Sequence, residues 1–398
     1  MSNLVPDILC QIFENIIGIY SFTFGPPKYK FLYPCIFVNR IWCRTAIPIL
    51  YREPFIRRNE NGYKLVSTFL AFINDEKRAL LYENDQHDIV FCGSMQFQRP
   101  LFDYSSYMCN LHYDAMLKNI DEWCQERILK ATLPSEKQRK IISSPKNIFS
   151  HIFQKQSKSK SESIENMDIE KSFHELQCAI VDALLTLFME NLVRLSKLRV
   201  CFRLNNRENY EKNMLLVQNI KYYPLLSMVR EIYLTVELHV HNEFLTSLAK
   251  CCQSLELILI EFGIYIATNR QLNHWNNITD KTGESISILI QAQKKLCSIT
   301  TIGMTNPCSN QLISSLASQS SSLKRAEFLW TDFSGSTPWY GLASCAKLNT
   351  LTITHCQSID DEMAQPLFDA KFECLNDVTI TSNSCVKLGE WAQKFNKS

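Results

Sequence analysis

Two spacings of apolar residues divide the chain. In its second half a short figure recurs, apolar-x-x-apolar-x-apolar, at Leu195-Leu198-Val200, Val229-Ile232-Leu234, Leu255-Ile258-Ile260, Leu296-Ile299-Thr301, Leu323-Ala326-Phe328, Leu348-Leu351-Ile353 and Leu375-Val378-Ile380. The last two positions of each figure alternate with other residues, the period of a strand with one buried face. Successive figures begin 34, 26, 41, 27, 25 and 27 residues apart. Between them lie segments of helical period, Phe244-Leu245-Leu248, Ile286-Leu289-Ile290, Leu312-Ile313-Leu316 and Met363-Leu367. A strand backed by one helix cannot close a core alone, so stacked neighbours are expected. The 41-residue interval holds the polar stretch Asn269 to Asp280, expected as an inserted loop. The longest apolar run, Leu255 to Ala267, reads as a buried strand and carries Glu256 and Glu261, too short and too charged to span a bilayer.

The first fifty residues follow a helical period. Pro6 suits the first turn of a helix, where its missing N–H costs nothing. Leu9, Ile12, Phe13, Ile16 and Ile17 then fall on one face, and Leu4 and Val5 extend it at the helix entrance. Gly25-Pro26-Pro27 interrupts the pattern. A second segment carries Leu32, Cys35, Val38 and Trp42 at steps of three, three and four, with Arg40 and Arg44 largely elsewhere, until Pro48 ends or restarts it. A helical unit of about fifty residues is marginal by itself, and a partner is a natural cover for its apolar surface.

The ordered set Val5-Pro6-Asp7-Ile8-Leu9, Ile12-Phe13 and Val38-Asn39-Arg40-Ile41-Trp42 resembles an F-box, a three-helix hook that docks onto a Skp-type adaptor of a cullin ubiquitin ligase. Val5 stands where the family usually has Leu, Asn39 where it usually has Cys, and the stretch from Gly18 to Lys30 is longer than the family's common loop. The resemblance covers about residues 1 to 50 and implies an adaptor-binding set of Leu4, Pro6, Ile8, Leu9, Ile12, Phe13, Leu32, Cys35, Val38 and Trp42. The recurring figure resembles the strand part of a leucine-rich repeat. Thr354-His355-Cys356-Gln357-Ser358-Ile359-Asp360-Asp361 resembles its cysteine-containing subtype, in which the Cys packs inward. Pro100-Leu101-Phe102-Asp103-Tyr104 is similar to a run in fungal F-box proteins with divergent repeats.

The expected fold class is therefore an α/β repeat, an N-terminal helical F-box hook followed by a leucine-rich-repeat solenoid. The domains are expected at 1–52 for the hook, 53–145 for a helical or degenerate-repeat connector, 146–171 for a flexible linker and 172–398 for the repeats. Tyr63 to Ile73 and Tyr113 to Leu129 supply helical periods in the connector, and Gln154 to Ser163 is a Ser/Lys-rich tract without apolar side chains. The implied function is a substrate receptor of a Skp-cullin-F-box ligase that binds the adaptor, and through it a cullin, by its N-terminus and an unknown protein target by its repeats. The rival expectation is a leucine-rich-repeat scaffold with no ligase role, in which residues 4 to 42 cap the array.

Composition trims the remaining classes. The 398 residues are 46% hydrophobic, enough to bury a core, and 42 basic against 40 acidic residues leave a formal charge of +2. No whole-chain field draws in nucleic acid or an anionic membrane, so neither is expected as a partner. Residues 1 to 17 lack a basic n-region and carry Asp7 and Glu14, so a cytoplasmic or nuclear protein is expected. The 16 cysteines are scattered, with no Cys-x-x-Cys pair, and read as small buried hydrophobes. Phosphate-loop, dinucleotide, zinc-protease and nucleophile-elbow motifs are missing, so no enzyme, cofactor, metal or catalytic residue is expected. Asp360, Asp361 and Glu362 read as a helix N-terminus, and His239, His241 and His355 as packed or surface side chains.

Overall fold

The computed structural model describes residues 5–17, 31–55, 62–84, 100–132, 162–191, 194–201, 207–236, 242–262, 272–381 and 385–395. They divide into two units of mixed α/β structure, Met1–Arg194 and Leu195–Ser398.

The first unit contains α1 (Pro6–Ile17), α2 (Arg40–Leu50), α3 (Tyr63–Leu70), α4 (Asp75–Asn84), the short strand β1 (Asn110–His112), α5 (Tyr113–Thr132) and α6 (Glu162–Glu190). Aromatic packing knits its middle. Phe69 lies 5.4 Å from Phe55 and 5.5 Å from Phe188, and the buried Trp123 satisfies its indole N–H on Ser67 Oγ at 2.6 Å. Arg52 joins the hook to this core twice. Its guanidinium donates to Glu14 at 2.6 Å, and its carbonyl accepts from both Cys109 and Asn110 N–H. Tyr51 stacks on Tyr104 at 4.0 Å, and burial pushes its phenol up to about 12.

The expected division at residue 52 is thus bridged by packing within one unit. Residues 133–161, which hold most of the expected linker, lie outside the described residues. From Glu162 the chain is already helical, nine residues before the expected end of the linker, and the boundary between units follows Arg194. The cause is legible in α6: Leu176, Ile180, Leu184, Leu187 and Phe188 are buried at helical spacing.

In the second unit every recurring figure is a strand: β2 (Lys197–Cys201), β3 (Glu231–Val236), β4 (Leu257–Phe262), β5 (Ser298–Ile302), β6 (Arg325–Leu329), β7 (Thr350–Thr354) and β8 (Asp377–Thr381). Each pairs in parallel with the next in sequence. The register aligns Leu198, Ile232, Ile258, Ile299, Ala326, Leu351 and Val378 in one row and Val200, Leu234, Ile260, Thr301, Phe328, Ile353 and Ile380 in the next. Ahead of each strand a single carbonyl takes two N–H groups from the following one. Ser196 accepts from Arg230 and Glu231, Arg230 from Glu256 and Leu257, and the pattern continues through Glu256, Cys297, Lys324 and Asn349. Arg52 repeats it inside the first unit.

The intervening helices are α7 (Arg207–Gln218), α8 (Tyr223–Ser227), α9 (Asn242–Cys251), α10 (Leu272–Gln291), α11 (Cys308–Ser315), α12 (Tyr340–Ala343), α13 (Asp361–Asp369) and α14 (Val386–Ala392). The stretch Asn269 to Asp280, expected as a loop, is helical from Leu272 onward as part of α10. The run expected as a strand from Leu255 is extended over Leu257–Phe262, and its remainder to Ala267 lies outside the described residues. Asp360 caps α13 by accepting the Met363 N–H at 2.8 Å, as the acidic triplet suggests.

Two buried glutamines tie successive units together. Gln293 accepts the Leu255 N–H and donates to the Cys252 and Leu289 carbonyls, and Gln319 accepts the Leu296 N–H and donates to the Ile290 and Gln293 carbonyls. The thiols of Cys252, Cys345 and Cys356 similarly donate to the Leu226, Leu316 and Phe328 carbonyls of the preceding unit. At the far end Trp391 sits among Phe368, Phe372 and Phe395 at 6.2, 6.1 and 4.9 Å.

One residue beyond β5, β6 and β7 the backbone turns left-handed, at Gly303 (φ 70°), Trp330 (φ 57°) and His355 (φ 55°). Glycine adopts this conformation freely, whereas a residue with a side chain is strained there by about 1–3 kcal/mol.

Candidate partner-docking surface

The N-terminal hook has its own small core. Leu9, Phe13, Leu32, Ala46 and Ile49 are buried together, with Cys10, Ile17, Cys35, Ile36, Trp42 and Leu50 packed around them. The Phe13 and Trp42 rings meet edge-on at 5.4 Å. Val5 starts the first turn, its carbonyl accepting from the Ile8 and Leu9 N–H groups. The segment from Leu32 is not one continuous helix. It makes a 3-10 turn over Tyr33–Phe37, extends at Asn39, and restarts as α2 with the Asn39 side chain accepting the Trp42 N–H at 2.9 Å. Asn39 therefore has a physical use as an N-cap at the position where the family pattern has Cys. Pro48 lies inside α2, and the helix runs two residues past it.

This core sorts the ten expected adaptor-binding residues. Pro6, Ile8, Ile12 and Val38 are exposed, Cys35 and Trp42 are half-buried, and Leu9, Phe13 and Leu32 are buried. Leu4 lies outside the described residues. The three buried side chains hold the hook together and cannot meet a partner without unfolding it.

The outward surface is larger than the expected set. Ile8, Ile12 and Ile16 repeat at four-residue spacing along α1, with Val5 at its start. The second segment adds Phe31, Tyr33, Phe37, Val38 and Ile41, with Phe37 71% exposed and its ring against Tyr33 at 5.5 Å. Nine of the sixteen large apolar side chains exposed among the described residues therefore lie within residues 5–41. Single exposed apolar residues are ordinary, but such a concentration makes this face a candidate interaction surface. The expected adaptor-binding set omits Val5, Ile16, Phe31, Tyr33, Phe37 and Ile41. For Ile16 the signal was present in the four-residue step from Ile12. For the aromatics it was hidden by the 3-10 turn, whose period of three differs from the α-helical one.

Elsewhere, no group of three or more His, Cys, Asp or Glu side chains among the described residues could hold a metal ion. No helix among them is long and apolar enough to cross a membrane. His239 and His241 lie outside the described residues, and His355 is exposed at the end of β7. Neither protein-family models nor curated proteins give a match to the chain.

Proposed function

We propose that the chain is a substrate receptor of a Skp-cullin-F-box ubiquitin ligase: the N-terminal hook, read as an F-box, docks on a Skp-type adaptor, and the second unit, read as a leucine-rich-repeat solenoid, holds a protein target. The observation that carries this reading is the apolar surface of residues 5–41, nine large side chains exposed on a hook that keeps a separate core of its own. The chain then needs no chemistry of its own. It works by proximity, holding a target lysine near a charged conjugating enzyme and raising its effective concentration. The role belongs in the cytosol or nucleus, where such ligases act. The tandem parallel strands and backing helices support the repeat reading, since each unit closes its core on its neighbours.

The test separates surface from core. Ile8→Asp with Ile12→Asp places two charges on the exposed face, each costing several kcal/mol if buried against a partner, and abolishes capture of a Skp-type adaptor while leaving the circular dichroism spectrum and melting temperature of the chain nearly unchanged. Leu9→Asp also loses the adaptor, but through collapse of the hook. Retained adaptor capture by the folded Ile8/Ile12 variant overturns the F-box reading and leaves the rival, a repeat scaffold capped by residues 4 to 42.

A further inference from the structure

We propose that Trp330, flanked by Gly303 and His355 at the ends of β5, β6 and β7, is a stacking site for an arginine side chain of a protein ligand. These three residues occupy equivalent places. The Gly303 N–H donates to the Leu329 carbonyl, the Trp330 N–H to the Thr354 carbonyl and the His355 N–H to the Thr381 carbonyl, one step beyond each strand. The indole of Trp330 stacks on the imidazole of His355, with centroids 4.2 Å apart and planes 18° from parallel, yet Trp330 remains 59% exposed. The next place in the row belongs to Gly303, which has no side chain. Neighbouring strands lie about 4.8 Å apart, close to the thickness that one planar group needs when stacked on another. The indole face turned away from His355 therefore meets no side chain at the neighbouring place in the row.

The charged residues placed near this row select its occupant. Glu261 pairs across β4 and β5 with Ile302, the residue before Gly303. Glu327 lies three residues before Trp330 and accepts the Thr300 hydroxyl at 3.0 Å, and Asp332 lies two residues after it, held by the N–H and hydroxyl of Ser334. All three carboxylates are half-buried. Against them stands Arg325, at the opposite end of β6 and 3.9 Å from Glu327. A nucleobase would stack as well as a guanidinium, but it brings a phosphate that these carboxylates repel. Among protein cations the guanidinium is planar and weakly hydrated and lies flat on an indole, whereas an ammonium is compact and strongly hydrated. The left-handed backbone strengthens the case. Two side chains are kept at places where glycine is the unstrained choice, and such strain gathers at ligand sites.

This inference gives a chemistry to the target-binding half of the proposed function and rests on that reading for its biological use. Its test involves no adaptor, so either can fail without the other. The full chain is labelled with fluorotryptophan at its six tryptophans, and the Trp330 signal is identified by its loss in Trp330→Gly, a substitution that suits the left-handed backbone. Capped Gly-Arg-Gly, Gly-Lys-Gly and Gly-Glu-Gly peptides and a short oligothymidylate are then titrated by fluorine NMR. The arginine peptide shifts the Trp330 signal saturably, about tenfold more tightly than the lysine peptide, while the glutamate peptide and the oligonucleotide leave it unmoved. Glu261→Gln weakens arginine binding by about threefold, and His355→Gly, which removes the supporting ring and keeps the indole, weakens it further. Equal response to arginine and lysine, no response to arginine, or a response to the oligonucleotide alone overturns the proposal.

Discussion

Cys345 donates its buried thiol to the Gly341 carbonyl at 3.5 Å and the Leu316 carbonyl at 3.6 Å, and burial pushes it up to about 12 from an ordinary value near 9. Raised in the folded state, the group contributes a stability that is complete below pH 9 and is lost as pH climbs from there toward 12. The Tyr51 phenol, raised from 10 to about 12 by burial and by Tyr104 and Tyr33 beside it, acts in the same direction over a narrower window. Cys345→Ala removes one of the two. The variant is less stable than the natural chain at about pH 8, because it leaves a small cavity, and the gap closes by roughly 2–3 kcal/mol by about pH 11. Urea unfolding at the two pH values measures this, and a gap that stays constant contradicts the burial argument. None of this could be read from the sequence, where Cys345 is one scattered cysteine among 16.

Between elements, the parallel ladder leaves carbonyls at helix ends and N–H groups ahead of strands that side chains must complete. Gln293 and Gln319 take both kinds, each bridging from the end of one helix into the loop of the unit before it. A buried donor or acceptor left without a partner costs about 1–3 kcal/mol. Gln319→Leu orphans the Leu296 N–H and the Gln293 carbonyl, leaves the Ile290 carbonyl with the Gln293 N–H alone, and lowers the unfolding free energy of the chain by about 2–5 kcal/mol. Gln365→Leu, on the exposed face of α13, changes it by less than about 0.5 kcal/mol. A loss at Gln319 no larger than at Gln365 would show that water serves those groups instead.

At this scale the sequence was most legible. All seven strands were visible in advance, because leucine and its relatives at fixed offsets leave one arrangement that buries them together. Four of the helices backing them, α9, α10, α11 and α13, showed for the same reason. What stayed hidden was local competition for the backbone: the Asn39 cap that splits the segment from Leu32, and the start of α10 at Leu272 within a polar stretch whose lack of apolar residues reads as a loop. The docking surface was half legible. Periodicity names a face of α1 but cannot say which of its residues the hook keeps for itself, so Leu9 and Phe13 looked alike to Ile8 and Ile12 until their neighbours were in place.

For the whole molecule, strand order in the second unit follows chain order from β2 to β8, so each strand from β3 to β7 has both edges taken by its neighbours in sequence. Such a sheet carries no internal rule for ending. Another strand of the same spacing would fit beside β8 as well as β8 fits beside β7, and that strand can come from another copy of the chain. The barrier is α14, whose buried Leu388 and Trp391 close the end with Phe368, Phe372 and Phe395 around the indole. Removing residues 382–398 takes that barrier away, and the shortened chain forms particles whose size grows with concentration in static light scattering, while the full chain keeps a constant mass over the same range. A shortened chain that stays monomeric and folded would assign the stopping role to β8 itself. The last helix is then a terminator of polymerisation: seven residues that close an otherwise open-ended assembly rule.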